Sequence, residues 1–212
     1  MENNFSTIID KIFSRLNESE YLTVSLSSEK TQFIRFSQSK IRQTGLVDDA
    51  SLNLKLIYND RTCSESFTLT SDIKKDCQKA YEILELMRQE IVQLPKDPYI
   101  VLPENNGSSR DIHNGKLLDI VDAANSLTPA MQGVDLAGIW ASGNIYRGCA
   151  NSLGLFHWFE TDTFSLDFSL ITEDERMVKG TFAGNDWSQA DYESYMCKSK
   201  EKLCLLKRDS IK

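Results

Sequence analysis

The residues best suited to chemistry in this 212-residue sequence are its two histidines and five cysteines. Cys149 and Ser152 lie within eight residues of His157, so a Cys–His or Ser–His pair for nucleophilic catalysis is conceivable. Sequence neighbours on adjacent strands often point to opposite faces, and no GxSxG turn is present, so we assign no catalytic residue. His113 and His157 lie in different segments without an HExxH spacing. The sequence therefore predicts no metal site and no cofactor within this chain.

The most unusual segment runs from Gly138 to Gly154. It combines small residues, the turn-forming pattern Asn-Ser-x-Gly and one isolated arginine. Two interpretations stay open. The segment is either a tight hairpin with glycine at positive φ, or an edge strand or groove where another backbone approaches closely. Under the second interpretation, the candidate residues for binding a substrate or a partner strand are Arg147, Gly148, Asn151, Ser152 and Gly154.

The elements that position these residues begin with a predicted N-terminal α+β subdomain over residues 1–94. Apolar residues at helical spacing predict a helix over 5–16, and alternating residues predict an antiparallel meander over 21–69. Asp72 supplies helix-capping chemistry before a second predicted helix over 72–92. Packing the apolar stripe of that helix on the sheet gives a two-layer unit.

In the second half of the chain, the sequence predicts a linker over residues 95–110 and then a strand-rich middle subdomain over 111–187. Prolines mark the linker. The middle subdomain contains one predicted helix over 117–127 and strands over 135–142, 145–151, 156–171 and 177–182. Ser188 caps a last helix, so residues 188–212 form a helix leading to an absent C-terminal domain, an expectation that rests on the polar end at Lys212. The predicted fold class is α+β, with antiparallel sheets packed against a few helices in two subdomains.

Composition narrows the classes of function. The chain is 41% apolar and 26% charged, with a net charge of −7, which disfavours binding to nucleic acid or to anionic membranes. No run of about 18 apolar residues is present, and the N-terminus lacks the features of a secretory signal. Five cysteines without a CxxC pair suit reduced thiols, so we predict a cytoplasmic protein without nucleic-acid or membrane partners.

Three segments together resemble the TldD/PmbA family, whose members are linked to modulating DNA gyrase and to peptide maturation. Residues Phe33–Gln43 are similar to an early strand pair of the family. Residues Leu52–Leu69, leading into the predicted helix, match the order of its next elements. The third segment is Gly138–Gly154, and the Asn-Ser-x-Gly pattern at its end resembles a signature of the family.

The resemblance implies a cytoplasmic peptidase or its non-catalytic partner subunit, acting in proteolysis of unfolded peptides. Active members carry zinc on HExxxH and a further Cys, in a domain after the region present here, so zinc is expected only there. The resemblance also implies a homo- or heterodimer with a related subunit, in which this piece serves assembly and substrate enclosure. Whether the protein is an enzyme stays open. The alternative is a stand-alone interaction module that binds a partner by strand addition at residues 138–154.

Overall fold

The computed structural model of the protein describes residues 1–206, which contain four α-helices, one 3-10 helix and seven strands. The strands pair in the order β3-β2-β1-β5-β6-β4, and β7 also pairs with β6. The predicted α+β class with antiparallel pairing is therefore confirmed. The elements are α1 (Glu2–Phe13), β1 (Glu20–Ser37), β2 (Lys40–Tyr58), β3 (Arg61–Thr68), α2 (Ile73–Ile91), β4 (Ser108–His113), α3 (Ala123–Leu127), the 3-10 helix (Pro129–Met131), β5 (Asp135–Asn151), β6 (Phe156–Ile171), β7 (Met177–Gly184) and α4 (Gln189–Leu206).

The N-terminal elements follow local signals in the sequence. The meander over 21–69 is confirmed as β1, β2 and β3, and the turn at Asn59 and Asp60 has positive φ at both residues, as a two-residue hairpin requires. The Asp72 side chain accepts hydrogen bonds from Lys74 N at 3.1 Å and Lys75 N at 3.4 Å. Helix α2 therefore begins where its predicted cap lies.

Three elements differ from their predictions. The strands predicted over 135–142 and 145–151 form one strand, β5, because Gly143 lets the backbone of Lys30 pass closely and makes no turn there. Helix α3 is shorter than predicted, and Lys116 instead pairs with Asp186 in an isolated bridge. Strand β4 extends into the predicted linker, where its polar sequence gave no strand signal. The last helix begins after Ser188 as predicted, and residues 207–212 lie outside the described part of the chain.

The chain forms two compact units, and neither unit is a continuous stretch of sequence. The strands β1, β2, β5 and β6 contribute residues to both. The boundaries predicted from the sequence, at 1–94, 95–110 and 111–187, stay a prediction. Unit 1 collects Met1–Glu29, Asp48–Ile112 and Tyr146–Glu160, and unit 2 collects Lys30–Val47, His113–Ile145 and the residues from Thr161 onwards.

The core of unit 1 lies between the sheet and two helices. Helices α1 and α2 contact each other, and their buried residues pack with alternate residues of the strands. The intervening strand residues point to the opposite face, which carries no helix of unit 1 and is mostly polar. The largest buried members of this core include Phe5, Ile8, Ile12, Leu22, Leu52, Leu54, Leu56, Leu84, Met87 and Trp158.

The core of unit 2 combines aliphatic residues with a cluster of aromatic side chains. Tyr192 of α4 is fully buried, and its hydroxyl donates a hydrogen bond to Leu127 O at 2.7 Å. Burial raises the pKa of Tyr192, so it stays neutral. Phe182 packs against Trp187 with ring centroids 5.7 Å apart. None of the helices in residues 1–206 is long and apolar enough to cross a bilayer.

Candidate functional site

The predicted site residues lie at the end of β5 and in the turn that joins it to β6. Strand β5 has β1 on one side and β6 on the other. The expectation of an edge strand at 138–154 is therefore wrong, and so is strand addition along this segment, because interior strands offer no unpaired backbone edge. The hairpin interpretation holds at residues 152–155, where Gly154 has φ +100°.

The side chain of Asn151 stabilises this turn through three hydrogen bonds. The residue is only 4% exposed. Its Nδ2 donates to Glu104 O at 2.8 Å, while its Oδ1 accepts from Leu153 N at 3.0 Å and Leu155 N at 3.1 Å. The hydrogen bonds of Asn151 thus hold two segments of unit 1 together.

Ser152 and Gly154 of the same turn contact two further segments of unit 1. Ser152 N donates to Leu22 O at 2.9 Å, and Ser152 Oγ accepts from Leu22 N at 3.2 Å. A Cβ on Gly154 would lie 3.0 Å from Asn105 Nδ2, in a backbone conformation that favours glycine. The Asn-Ser-x-Gly pattern therefore ties the β5–β6 turn to the start of β1 and to the chain before β4.

Gly148 faces helix α1. A Cβ at this position would lie 2.8 Å from the ring of Phe5, which is fully buried. We expect Gly148→Val to lower the free energy of unfolding by about 3 kcal/mol, because the added methyls overpack this contact. Urea unfolding followed by circular dichroism measures the change. Cys149→Val is the matched control: Cys149 is half-buried on the opposite face of β5, so an equal loss there would contradict the assignment.

Arg147 lies on the open side of the sheet, at a cleft of about 270 Å³ within unit 1. Its Nη1 donates to Ser28 O at 3.1 Å and to Tyr146 O at 2.8 Å, which fixes the guanidinium over β5. Ser109 Oγ lies 2.6 Å from His157 Nδ1 in the same cleft. The cleft is lined by Ser109, Asp111, Arg147, Gly148, Cys149, His157, Trp158 and Phe159.

This cleft brings together groups that are far apart in sequence. The sequence analysis considers Cys149 and His157 as a conceivable pair and Arg147 on its own, and it places Ser109 in the predicted linker. Ser109 could have been placed near His157 only by predicting that β4 pairs with β6. A hydroxyl, an imidazole and a guanidinium at one cleft suit hydrogen bonding to carbonyl or carboxylate oxygens. Ser109 and Arg147 are exposed to solvent at this cleft.

In the part of the chain that the structure describes, no group of three His, Cys, Asp or Glu side chains is arranged to hold a metal ion. The predicted lack of a metal site in this chain stays a prediction.

The remainder of the open side is a hydroxyl- and amide-rich surface, which we call the open face. Asn53 of β2 and Ser66 of β3 are opposite each other in register, and Asn53 Nδ2 donates to Ser66 Oγ at 2.9 Å. The open face has few charges, so its main capacity is hydrogen bonding. Its members from β1, β2 and β3 include Thr23, Ser25, Ser27, Ser51, Asn53, Lys55, Ser64 and Ser66.

Comparison with solved structures shows which proteins share this fold. One similar chain, from Thermotoga maritima, is named a "putative modulator" of a DNA gyrase; it has a TM-score of 0.67 at 13% identity, over 98% of this chain and 50% of that chain. TldE from Thermococcus kodakarensis has a TM-score of 0.66 at 12% identity, over 95% of this chain and 47% of its own. A protein of Bacteroides thetaiotaomicron with the same gyrase-modulator name gives 0.65 at 14% identity, over 96% and 49%.

The chain therefore has the α+β fold seen in about half the length of these proteins. The resemblance to the TldD/PmbA family is confirmed at the level of the fold. No protein-family model matches the sequence, and no curated protein matches it.

Proposed function

We propose that this chain is the N-terminal and middle portion of a TldD/PmbA-like peptidase or of its non-catalytic partner subunit. In this proposal the chain is cytoplasmic, forms a dimer with a related subunit and takes part in proteolysis of unfolded peptides by enclosing them. Cleavage itself would be catalysed by zinc in the C-terminal domain that active members of the family carry. The observation that carries the proposal is the fold shared with TldE and the gyrase-modulator proteins over at least 95% of this chain.

The chemistry of the open face supports peptide enclosure. An unfolded peptide presents backbone N–H and C=O groups whatever its sequence, and Ser, Thr and Asn side chains can donate to or accept from both. The cleft at Arg147 adds a guanidinium and a hydroxyl, beside the carboxylate of Asp111, and both can donate to the carbonyl oxygens of a peptide. This combination favours binding that tolerates many peptide sequences.

The test is binding of fluorescein-labelled, reduced and carboxymethylated α-lactalbumin, measured by fluorescence anisotropy and followed by mass spectrometry of the peptide. We expect the chain to bind this unfolded probe and leave it intact. We expect Arg147→Ala to weaken binding about threefold or more, because one hydrogen-bonding cation is lost.

Arg110→Ala is the matched control for that experiment. Arg110 is an exposed arginine of β4 whose Nε contacts both carboxylate oxygens of Glu2 at 3.0 Å, so it is engaged with α1. An equal effect of the two substitutions would contradict a role of the cleft. Absence of binding by the wild-type chain, or zinc-dependent cleavage by the chain alone, would overturn the proposed function.

A further inference from the structure

Two Asn-Gly pairs occur in the chain, Asn106-Gly107 before strand β4 and Asn114-Gly115 after it. Asparagine is chemically labile, and most of all before glycine, because glycine leaves its own backbone nitrogen unshielded by a side chain. The two pairs have the same local sequence, so the sequence alone gives no reason for them to differ in reactivity. Their surroundings in the structure are very different.

Asn106 and Gly107 lie in an exposed loop of unit 1, outside any helix or strand. Gly107 has φ +90°, a conformation that favours glycine, and a Cβ built on it would meet no heavy atom within 4 Å. Gly107 N donates to Asn105 Oδ1 at 2.9 Å, and this bond opens without the movement of a helix or strand. The Gly107 nitrogen can therefore reach the side-chain amide carbon of Asn106 by local rotations of the loop.

The second pair, Asn114 and Gly115, is held within unit 2. Gly115 N donates to Asp162 Oδ2 at 2.9 Å, and a Cβ on Gly115 would lie 2.2 Å from Asn185 O. The next residue, Lys116, forms an isolated β-bridge. The Gly115 nitrogen is therefore engaged with a carboxylate, and the backbone around it is tightly packed. This pair can react only after its surroundings open.

We propose that Asn106 is a site of spontaneous deamidation and isoaspartate formation in the folded protein, and that Asn114 is protected from the same reaction. A base removes the proton of Gly107 N, and the nitrogen then forms a bond to Asn106 Cγ. The bond between Cγ and Nδ2 breaks, and Nδ2 takes up a proton and leaves as ammonia. The product is a cyclic succinimide that joins the two residues.

Water then opens the succinimide at one of its two carbonyl carbons. Attack at Cγ breaks the bond from Cγ to Gly107 N and leaves an ordinary aspartate at residue 106. Attack at the main-chain carbonyl carbon breaks the original peptide bond, so the chain runs through Cγ as isoaspartate. The net reaction consumes one water and releases one ammonia, without an oxidant or a reductant. Either product carries one more carboxylate than the original chain.

Isoaspartate at residue 106 lengthens the main chain by one carbon between two points of attachment. Glu104 O accepts from Asn151 Nδ2 at 2.8 Å, and Gly107 O accepts from Phe156 N at 3.3 Å. An added carbon between these two carbonyls shifts one of them relative to the other, so at least one of the two hydrogen bonds loses its geometry. We therefore expect the isoaspartate form to unfold at a lower urea concentration than the unmodified chain.

The test is timed peptide mapping of the wild-type chain during incubation in mildly alkaline buffer. Trypsin cleaves after Lys96, Arg110 and Lys116, so the two Asn-Gly pairs fall on separate peptides, 97–110 and 111–116. Mass spectrometry follows the conversion of amide to acid in each peptide, and fragmentation of the first peptide separates the two adjacent asparagines. A sample digested before incubation corrects for conversion during digestion.

We expect Asn106 to convert about tenfold faster than Asn114 or more, because the protected pair reacts only through local opening. The same incubation in urea is the control, since unfolding exposes both pairs, and there we expect comparable rates. Equal rates at the two sites in the folded chain would overturn the proposal. So would a folded chain in which Asn106 stays intact while both sites convert in urea.

Two variants test the physical reasons. Asp162→Ala removes the carboxylate that holds Gly115 N, so we expect faster conversion at Asn114 and an unchanged rate at Asn106. Asn106→Asp carries the added charge without the added carbon, so we expect it to unfold at a higher urea concentration than the isoaspartate form separated by chromatography. An unchanged Asn114 rate in the first variant, or equal urea midpoints in the second comparison, would overturn the proposal. These measurements use no peptide probe, so their outcome is independent of the proposed function.

Discussion

Replacing Asn151 with alanine lowers the free energy of unfolding by about 3 kcal/mol, because it removes three hydrogen bonds from a buried site. Two backbone N–H groups of the β5–β6 turn and the carbonyl of Glu104 lose their partner together. Urea unfolding, followed by tryptophan fluorescence and circular dichroism, measures the loss. The effect is large because a buried polar group without a partner keeps its full desolvation cost.

Two controls separate this role from general damage. Asn151→Asp keeps the oxygen that accepts from Leu153 and Leu155 but places a carboxylate oxygen against the carbonyl of Glu104, so at neutral pH we expect a loss at least as large as that of alanine. Asn53→Ala removes an exposed amide with one hydrogen bond to Ser66, and we expect a change of about 0.5 kcal/mol or less. An equal loss of unfolding free energy in Asn151→Ala and Asn53→Ala would show that the hydrogen bonds of Asn151 do not stabilise the turn.

Replacing Glu20 with glutamine lowers the free energy of unfolding by about 3 kcal/mol at neutral pH, because it breaks a nearly buried ion pair. Arg88 donates to the two carboxylate oxygens of Glu20 at 2.9 and 2.7 Å, and Asn17 N donates to one of them at 2.8 Å. The side chains of Glu20 and Arg88 are only 5% and 19% exposed. The pair joins the start of β1 to the last turns of α2.

The same pair makes stability depend on pH. Burial opposes the charge on Glu20, but the Arg88 and Asn17 hydrogen bonds and the Arg88 charge outweigh it, and the pKa of Glu20 is lowered. A lowered pKa contributes stability above the unfolded value of about 4.3, and this contribution is lost as pH falls through the folded value. The difference between wild type and Glu20→Gln should therefore shrink below about pH 4.

Glu85→Gln is the control for this pair. Glu85 contacts the same guanidinium at 2.6 Å, but it is 64% exposed, so we expect a change of about 0.5 kcal/mol or less. Urea unfolding of the three proteins at several pH values between 3 and 7, a range about the ordinary carboxyl pKa, supplies the measurement. A difference between wild type and Glu20→Gln that does not change with pH would contradict the assignment.

The elements predicted well are those whose signals are local. Helix α2 has a side-chain cap at Asp72 and an apolar stripe, and β6 has a long alternation, so both lie close to their predicted positions. The candidate site was harder to predict because its contacts join distant segments. Ser109 and His157 are 48 residues apart, and β4 has a polar sequence without alternation. The break predicted at Gly143 does not exist, because a glycine that lets a neighbouring backbone approach has the same local sequence as a glycine in a turn.

The interleaving of the two units has a consequence for how the protein folds. Ser152 bonds to Leu22 across 130 residues, and Trp158 belongs to the same core as Phe5. Contacts of such long range carry a high entropic cost of loop closure and slow the folding of a chain. During synthesis, unit 1 cannot complete its core until β5 and the start of β6 have left the ribosome. Until then part of the apolar face of α1 stays uncovered, because Phe5 packs against Phe156 and Trp158, and exposed apolar surface favours aggregation.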